Sequence, residues 1–268
     1  MKVYEFGSAD KPSIMLFPGT CCYWKTNFGH VLDHLQKHFY TLIVSYSGFD
    51  ETEDTTFISE LDEVQKVETY IKDRLHGNLF AAYGCSLGGS FVSLLVSRKN
   101  IHIDHAIIGS SDMDQTSKWV AKLETAIMMP IFYPLITGRG SRLLKRVFEK
   151  KMNEGKDSSD YIKKFMDMMG LNSGIDFSFI SKESMKNQFC TDLYTPVGEH
   201  IEVPGTTIHV FYAKKMGEKY RDRYLKHFSH PDICEFDLQH EELLLDADRW
   251  TQEVCRVCEV DHGSVLPS

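Results

Sequence analysis

The sequence predicts an α/β fold: a mostly parallel sheet of about seven strands with helices on both faces, plus a helical insertion. Three observations predict it. Short β-rich runs alternate with helical ones from the start of the chain. The run Asn78-Leu79-Phe80-Ala81-Ala82-Tyr83 leads into Gly84-Cys85-Ser86-Leu87-Gly88, and Leu87, Phe91, Leu94 and Leu95 then recur at helical spacing. The alternation stops near Met113 and resumes after His200, which divides the chain into a core, 1–112 with 201–268, and an inserted helical lid, 113–200.

The elements follow in order. One short strand fits before Ser13, and Ser13-Ile14-Met15-Leu16-Phe17 is a second, ended by Pro18-Gly19-Thr20. Trp24, Phe28, Val31, Leu32, Leu35 and Phe39 share one helical stripe, and Tyr40 to Tyr46 reads as the next strand. Phe57, Leu61, Val64, Ile71 and Leu75 mark a helix placed after the capping cluster Asp54-Thr55-Thr56. Ile103 to Gly109 is a buried strand beyond the Ser86 segment. The insertion reads as helices around Trp119 to Leu123, Leu143 to Phe148 and Tyr161 to Met169. Strands return at Thr206 to Tyr212 and Ile233 to Phe236, and a helix through Leu243, Trp250 and Val254 closes the fold.

Gly84-Cys85-Ser86-Leu87-Gly88 has the Gly-x-Ser-x-Gly spacing of a nucleophile elbow, and the preceding strand and following helix are the context that pattern needs. A sharp turn brings strand and helix together, so the flanking positions must be small, and Gly89 extends the small run. The turn exposes the Ser86 hydroxyl and leaves the Leu87 N–H at a helix N-terminus, where it can stabilise an oxyanion.

In its order of elements the chain resembles the α/β-hydrolase family over nearly its whole length. It departs at the N-terminus, where one strand stands in place of a hairpin. The resemblance implies that His240, after the last strand and before the final helix, is the general base for Ser86. It implies a second oxyanion donor from the Thr20 backbone, although Pro18 stands where the family often has histidine. The acid is open: Ala213-Lys214-Lys215-Met216-Gly217-Glu218 has no aspartate at the expected position, so Glu218 is favoured, with Asp112 as its competitor and Asp237 or no acid beyond them.

The function expected is hydrolysis of a carboxylic ester, with thioester, amide or carbon–carbon cleavage open, because the elbow does not encode the leaving group. No cofactor is needed for that chemistry. The alternative is a non-catalytic protein binding a small hydrophobic ligand. Eight of the eleven methionines lie between Met113 and Met185, suiting an apolar pocket under the insertion and a substrate with an apolar acyl group.

The formal charge of −8 argues against a nucleic-acid partner. No membrane span is expected, and the first six residues carry no apolar leader core, so the expected location is the cytosol. Seven cysteines, an odd number with Cys21 beside Cys22, do not form a secreted disulfide framework. Cys255-Arg256-Val257-Cys258 lacks a second pair, and His30, His34 and His38 lack a completing carboxylate, so no metal site is expected.

Overall fold

The computed structural model describes residues 1–113, 115–140, 150 and 159–261. Its sheet has seven strands in the order β1-β3-β2-β4-β5-β6-β7. These are β1 (Lys2–Phe6), β2 (Ser13–Phe17), β3 (Tyr40–Ser45), β4 (Asn78–Gly84), β5 (His102–Ile108), β6 (Thr207–Ala213) and β7 (Asp232–Phe236). Only β1 runs antiparallel, on the edge beside β3; every other pair is parallel. The apolar run Ile14 to Phe17 in β2 is wholly buried, as a strand covered on both faces must be.

Helices α1 (Trp24–Phe28) and α2 (Leu32–Leu35) precede β3, and α3 (Glu60–Leu75) and α4 (Leu87–Arg98) flank β4. In the segment 113–200 lie α5 (Lys118–Ile136), α6 (Ser159–Met168) and α7 (Lys182–Tyr194); α8 (Glu218–His227) and α9 (Ala247–Val257) complete the chain. The stripe Leu143 to Phe148 lies outside the described residues.

Two expectations are corrected in detail. The Trp24–Phe39 stripe is not one helix: a 3-10 turn at Gly29–Val31 separates α1 from α2. The stripe survives because a short 3-10 piece still returns side chains to one side, and Phe28, Val31, Leu35 and Phe39 are all fully buried. Helix α3 starts four residues later than the Asp54-Thr55-Thr56 cluster suggests. The Asp62 N–H donates to Ser59 Oγ at 3.2 Å, and Glu60, Asp62 and Glu63 complement the positive end of the helix. The Thr55 hydroxyl instead accepts from the Gly48 N–H at 2.9 Å.

One helix bears on the expectation of no membrane span. Among the described residues one helix, α5, is long and apolar enough to cross a membrane by length and composition. Trp119, Leu123, Ile127 and Ile131, four residues apart on that helix, are 72, 47, 60 and 40 % exposed. The pattern was missed because Lys118, Lys122 and Glu124 crowd its first two turns and Pro130 and Pro134 punctuate its last.

Of the histidines spaced four apart, His30 lies in the 3-10 turn, His34 in α2 and His38 beyond it. The His30 ring Nε2 lies 2.8 Å from the Leu244 carbonyl, and burial lowers its pKa; His34 pairs with Asp248 at 2.8 Å.

Glu60, in the first turn of α3, is 1 % exposed, and burial together with the nearby Asp192 charge raises its pKa well above the ordinary 4.5. A folded-state pKa above the unfolded value stabilises fully below the unfolded value and loses that contribution as pH rises through the folded one. Glu60→Gln is therefore expected to raise the melting temperature at neutral and alkaline pH, with the difference vanishing near pH 4. Thermal scans of both proteins across pH check this; a gain that does not grow with pH would show that Glu60 is not held protonated.

Candidate active site

The parallel register sets the site. Phe17 pairs with Gly84 and Gly84 with Ile108, so the loops after β2, β4 and β5 leave the carboxyl edge of the sheet side by side. Ser86 sits between β4 and α4 with φ 51° and ψ −114°, a left-handed backbone that a serine adopts only where its surroundings impose it. The turn is closed by Gly88 N–H to the Cys85 carbonyl and Gly89 N–H to the Ser86 carbonyl, both 2.8 Å, and the Cys85 N–H donates to the Phe17 carbonyl at 3.0 Å.

Two glycines are required by contact rather than by backbone angle. A β-carbon on Gly84 would lie 2.1 Å from the Gly88 carbonyl, and one on Gly88 would lie 2.1 Å from the Phe17 carbonyl. Neither backbone oxygen can retreat without opening the strand-to-helix turn. Gly84→Ala is expected to cost more than about 3 kcal/mol or to prevent folding, the range of severe single substitutions. Thermal unfolding measures it, and a well-folded variant with unchanged melting would contradict the packing.

Above the elbow lies a cavity of about 340 Å³. One side is built by the core: Thr20, Cys22, Cys85, Ser86, Asp112 and His240. The other side comes from the 113–200 segment: Phe132 of α5, Phe165 and Met168 of α6, Met169 just beyond it, and Phe189 and Leu193 of α7. Its wall is thus aromatic and thioether-rich, with a few polar groups on the sheet side and Asp192 on the other, the composition expected of a pocket for a largely apolar ligand. Burial raises the pKa of Cys22 to about 12 and pushes that of Cys85 well above the ordinary thiol value, so both thiols stay protonated.

The structure brings together four of the six sequence candidates around this cavity: Ser86, His240, Asp112 and Thr20. Leu87, the fifth, is the first residue of α4, immediately after the serine. Glu218 is not brought there. It is an exposed residue in the first turn of α8, separated from β6 by the 3-10 turn Lys214–Met216, and is absent from the cavity wall. Asp237 is likewise exposed and outside the wall. His240 is held by Tyr161, whose hydroxyl donates to its carbonyl at 2.9 Å, and by an edge-on contact with the Phe165 ring. In the loop after β2, the Gly19 N–H donates to Asn27 Oδ1 at 2.9 Å and the Cys21 N–H to Gln188 Oε1 at 2.7 Å.

Sequence reasoning missed Glu241. The residue is buried at the cavity wall against the elbow, where Oε1 accepts the Ser86 N–H at 2.8 Å and Oε2 accepts the Tyr83 hydroxyl at 3.0 Å. Nothing in the string His240-Glu241-Glu242 separates the two glutamates. It also missed Asp192 of α7, on the cavity wall within 3.3 Å of the Thr20 hydroxyl.

Solved structures with this architecture decide the fold. A protein of Desulfitobacterium hafniense, described as a putative alpha/beta hydrolase family protein, superposes with a TM-score of 0.75 at 18% identity, covering 96% of this chain and 99% of its own. The chain has the α/β-hydrolase fold. Similar α/β-hydrolase-fold structures include the enol-lactonase of Burkholderia xenovorans, at TM-score 0.68, 15% identity and 95% of both chains. A structure from a study of carboxylesterases of Nitrososphaera gargenis has TM-score 0.67 at 9% identity, covering 96% of this chain and 92% of that one. No family model and no curated protein sequence matches the chain.

Proposed function

We propose that this α/β-hydrolase-fold chain is a serine hydrolase that cleaves a carboxylic ester with an apolar acyl group through an acyl-enzyme. The observation that carries the reading is Ser86, held at φ 51° on the elbow, on the wall of the same cavity as His240. In the proposed reaction Ser86 Oγ attacks the ester carbonyl carbon while His240 takes its proton. The carbonyl oxygen becomes an oxyanion, stabilised by the N–H groups of Leu87 and Thr20. Within the loop after β2, the neighbouring N–H groups of Gly19 and Cys21 are committed to side chains, which favours Thr20 for this part. Collapse breaks the bond to the leaving alkoxide, which takes the proton from His240 and departs as the alcohol. Water then attacks the acyl-serine, again giving its proton to His240, and the acid leaves as Ser86 is restored.

Asp112 is the proposed acid that orients His240, since it shares the cavity wall and Glu218 does not. The segment 113–200 serves as the lid whose aromatic and methionine side chains receive the acyl chain. The hydrolase and lactonase names of the structural neighbours are in keeping with this chemistry. A fluorophosphonate probe tests it: wild type is labelled and Ser86→Ala is not, and p-nitrophenyl esters of graded chain length then define the acyl preference. A wild-type protein that takes no label would overturn the catalytic reading and leave a ligand-binding pocket.

A further inference from the structure

We propose that Glu241 is a positioning residue that ties the His240 loop to the nucleophile, setting the spacing of base and serine; this rests on the reading above. Three observations carry it. First, the Glu241 carboxylate spans two partners on the elbow strand and turn, the Tyr83 hydroxyl and the backbone N–H of Ser86 itself. Second, Glu241 is 2 % exposed and holds φ at 54°, a left-handed backbone that costs a glutamate energy and persists only where the surroundings over-determine it. Third, the space is specifically cleared: a β-carbon on Gly109 would sit 2.8 Å from Glu241 Oε1 and 3.0 Å from the Tyr83 hydroxyl.

The physical consequence runs through one peptide. His240 and Glu241 are consecutive, so their Cα atoms are about 3.8 Å apart. A side chain anchored on the Ser86 N–H therefore restrains the imidazole's backbone relative to the serine that it must deprotonate. The anchor strand is itself stiff, because the Tyr83 ring packs edge-on against fully buried Trp250 at 4.8 Å between centroids. The carboxylate meets Ser86 at its backbone N–H, so it acts on the turn through the main chain, and Glu241 also borders the cavity beside His240.

Positioning makes a prediction that electrostatics reverses. Glu241→Gln keeps the reach and an acceptor oxygen for the Ser86 N–H but removes the charge. Glu241→Asp keeps the charge but withdraws it by one methylene. A misplacement near 1 Å costs on the order of 10²-fold in rate, so Asp and Ala variants should lose about 10² in kcat with KM little changed, and Gln should lose at least tenfold less than Asp.

The experiment measures kcat and KM on a p-nitrophenyl ester for wild type and the Gln, Asp and Ala variants. Hydrogen exchange of the peptides covering residues 84–88 and 238–243 is followed in parallel. The expected result is faster exchange of both peptides in Asp and Ala and near-wild-type exchange in Gln. An Asp variant more active than Gln, a loss confined to KM, or unchanged exchange in both Asp and Ala would overturn the proposal. If Ala fails to fold, the Asp and Gln pair still decides. If wild type takes no fluorophosphonate label, the catalytic reading has failed, and the exchange contrast alone decides whether Glu241 ties the two loops.

Discussion

Ser86→Ala is expected to leave the protein folded and to lower ester turnover by about 10⁴-fold or more, the scale seen when a triad nucleophile is removed. The fold should survive because alanine and serine meet the same backbone strain at φ 51°, and the Ser86 side chain makes no capping bond to α4. The bonds that close the turn come from the main chain, at the Cys85 and Ser86 carbonyls. Steady-state kinetics with circular dichroism on the purified variant checks both halves. Unchanged turnover, free of contaminating esterase, would remove Ser86 from the mechanism.

Asp112→Asn is expected to cost about 10⁴ in kcat, as loss of the carboxylate that orients and charges the imidazole does in a well-studied triad. Glu218→Gln should stay close to wild type, because Glu218 is exposed on α8 and absent from the cavity wall that holds His240. The asparagine keeps the size of Asp112 and removes only its charge. A severe loss on Glu218 instead would mean that the chain at 214–218 moves to the site when substrate binds. Mild losses on both would favour a reaction that runs without a carboxylate in that role.

Features written in local sequence were legible. The elbow announced itself because three constraints coincide within six residues: a strand before, a helix after, and Gly84, Gly88 and Gly89 where the elements touch. The seven strands followed from period and length, whereas the antiparallel direction of β1 at the edge came only with the structure. The start of α3 was misread because Thr55 and Ser59 are both capping residue types, and only tertiary contacts decide which hydroxyl meets a helix N–H. The acid was ambiguous for a related reason: the resemblance gives the loop, but a 3-10 turn of three residues stands between β6 and Glu218. Glu241 was invisible because its partner is 155 residues away, and a buried carboxylate looks the same in sequence as that of the half-buried Glu242 beside it.

The strand order carries a consequence for the making of the protein. The nucleophile, the Thr20 loop and Asp112 all belong to the first 112 residues, whereas His240 follows β7, at the far edge of the sheet. Synthesis runs from the N-terminus, and pairings between segments distant in sequence are slow to close. The strained turn at Ser86 can be built before His240 has been made. In the proposed mechanism the nascent chain therefore carries a serine without its base, and the last loop, whose Glu241 carboxylate accepts the Ser86 N–H, completes the site.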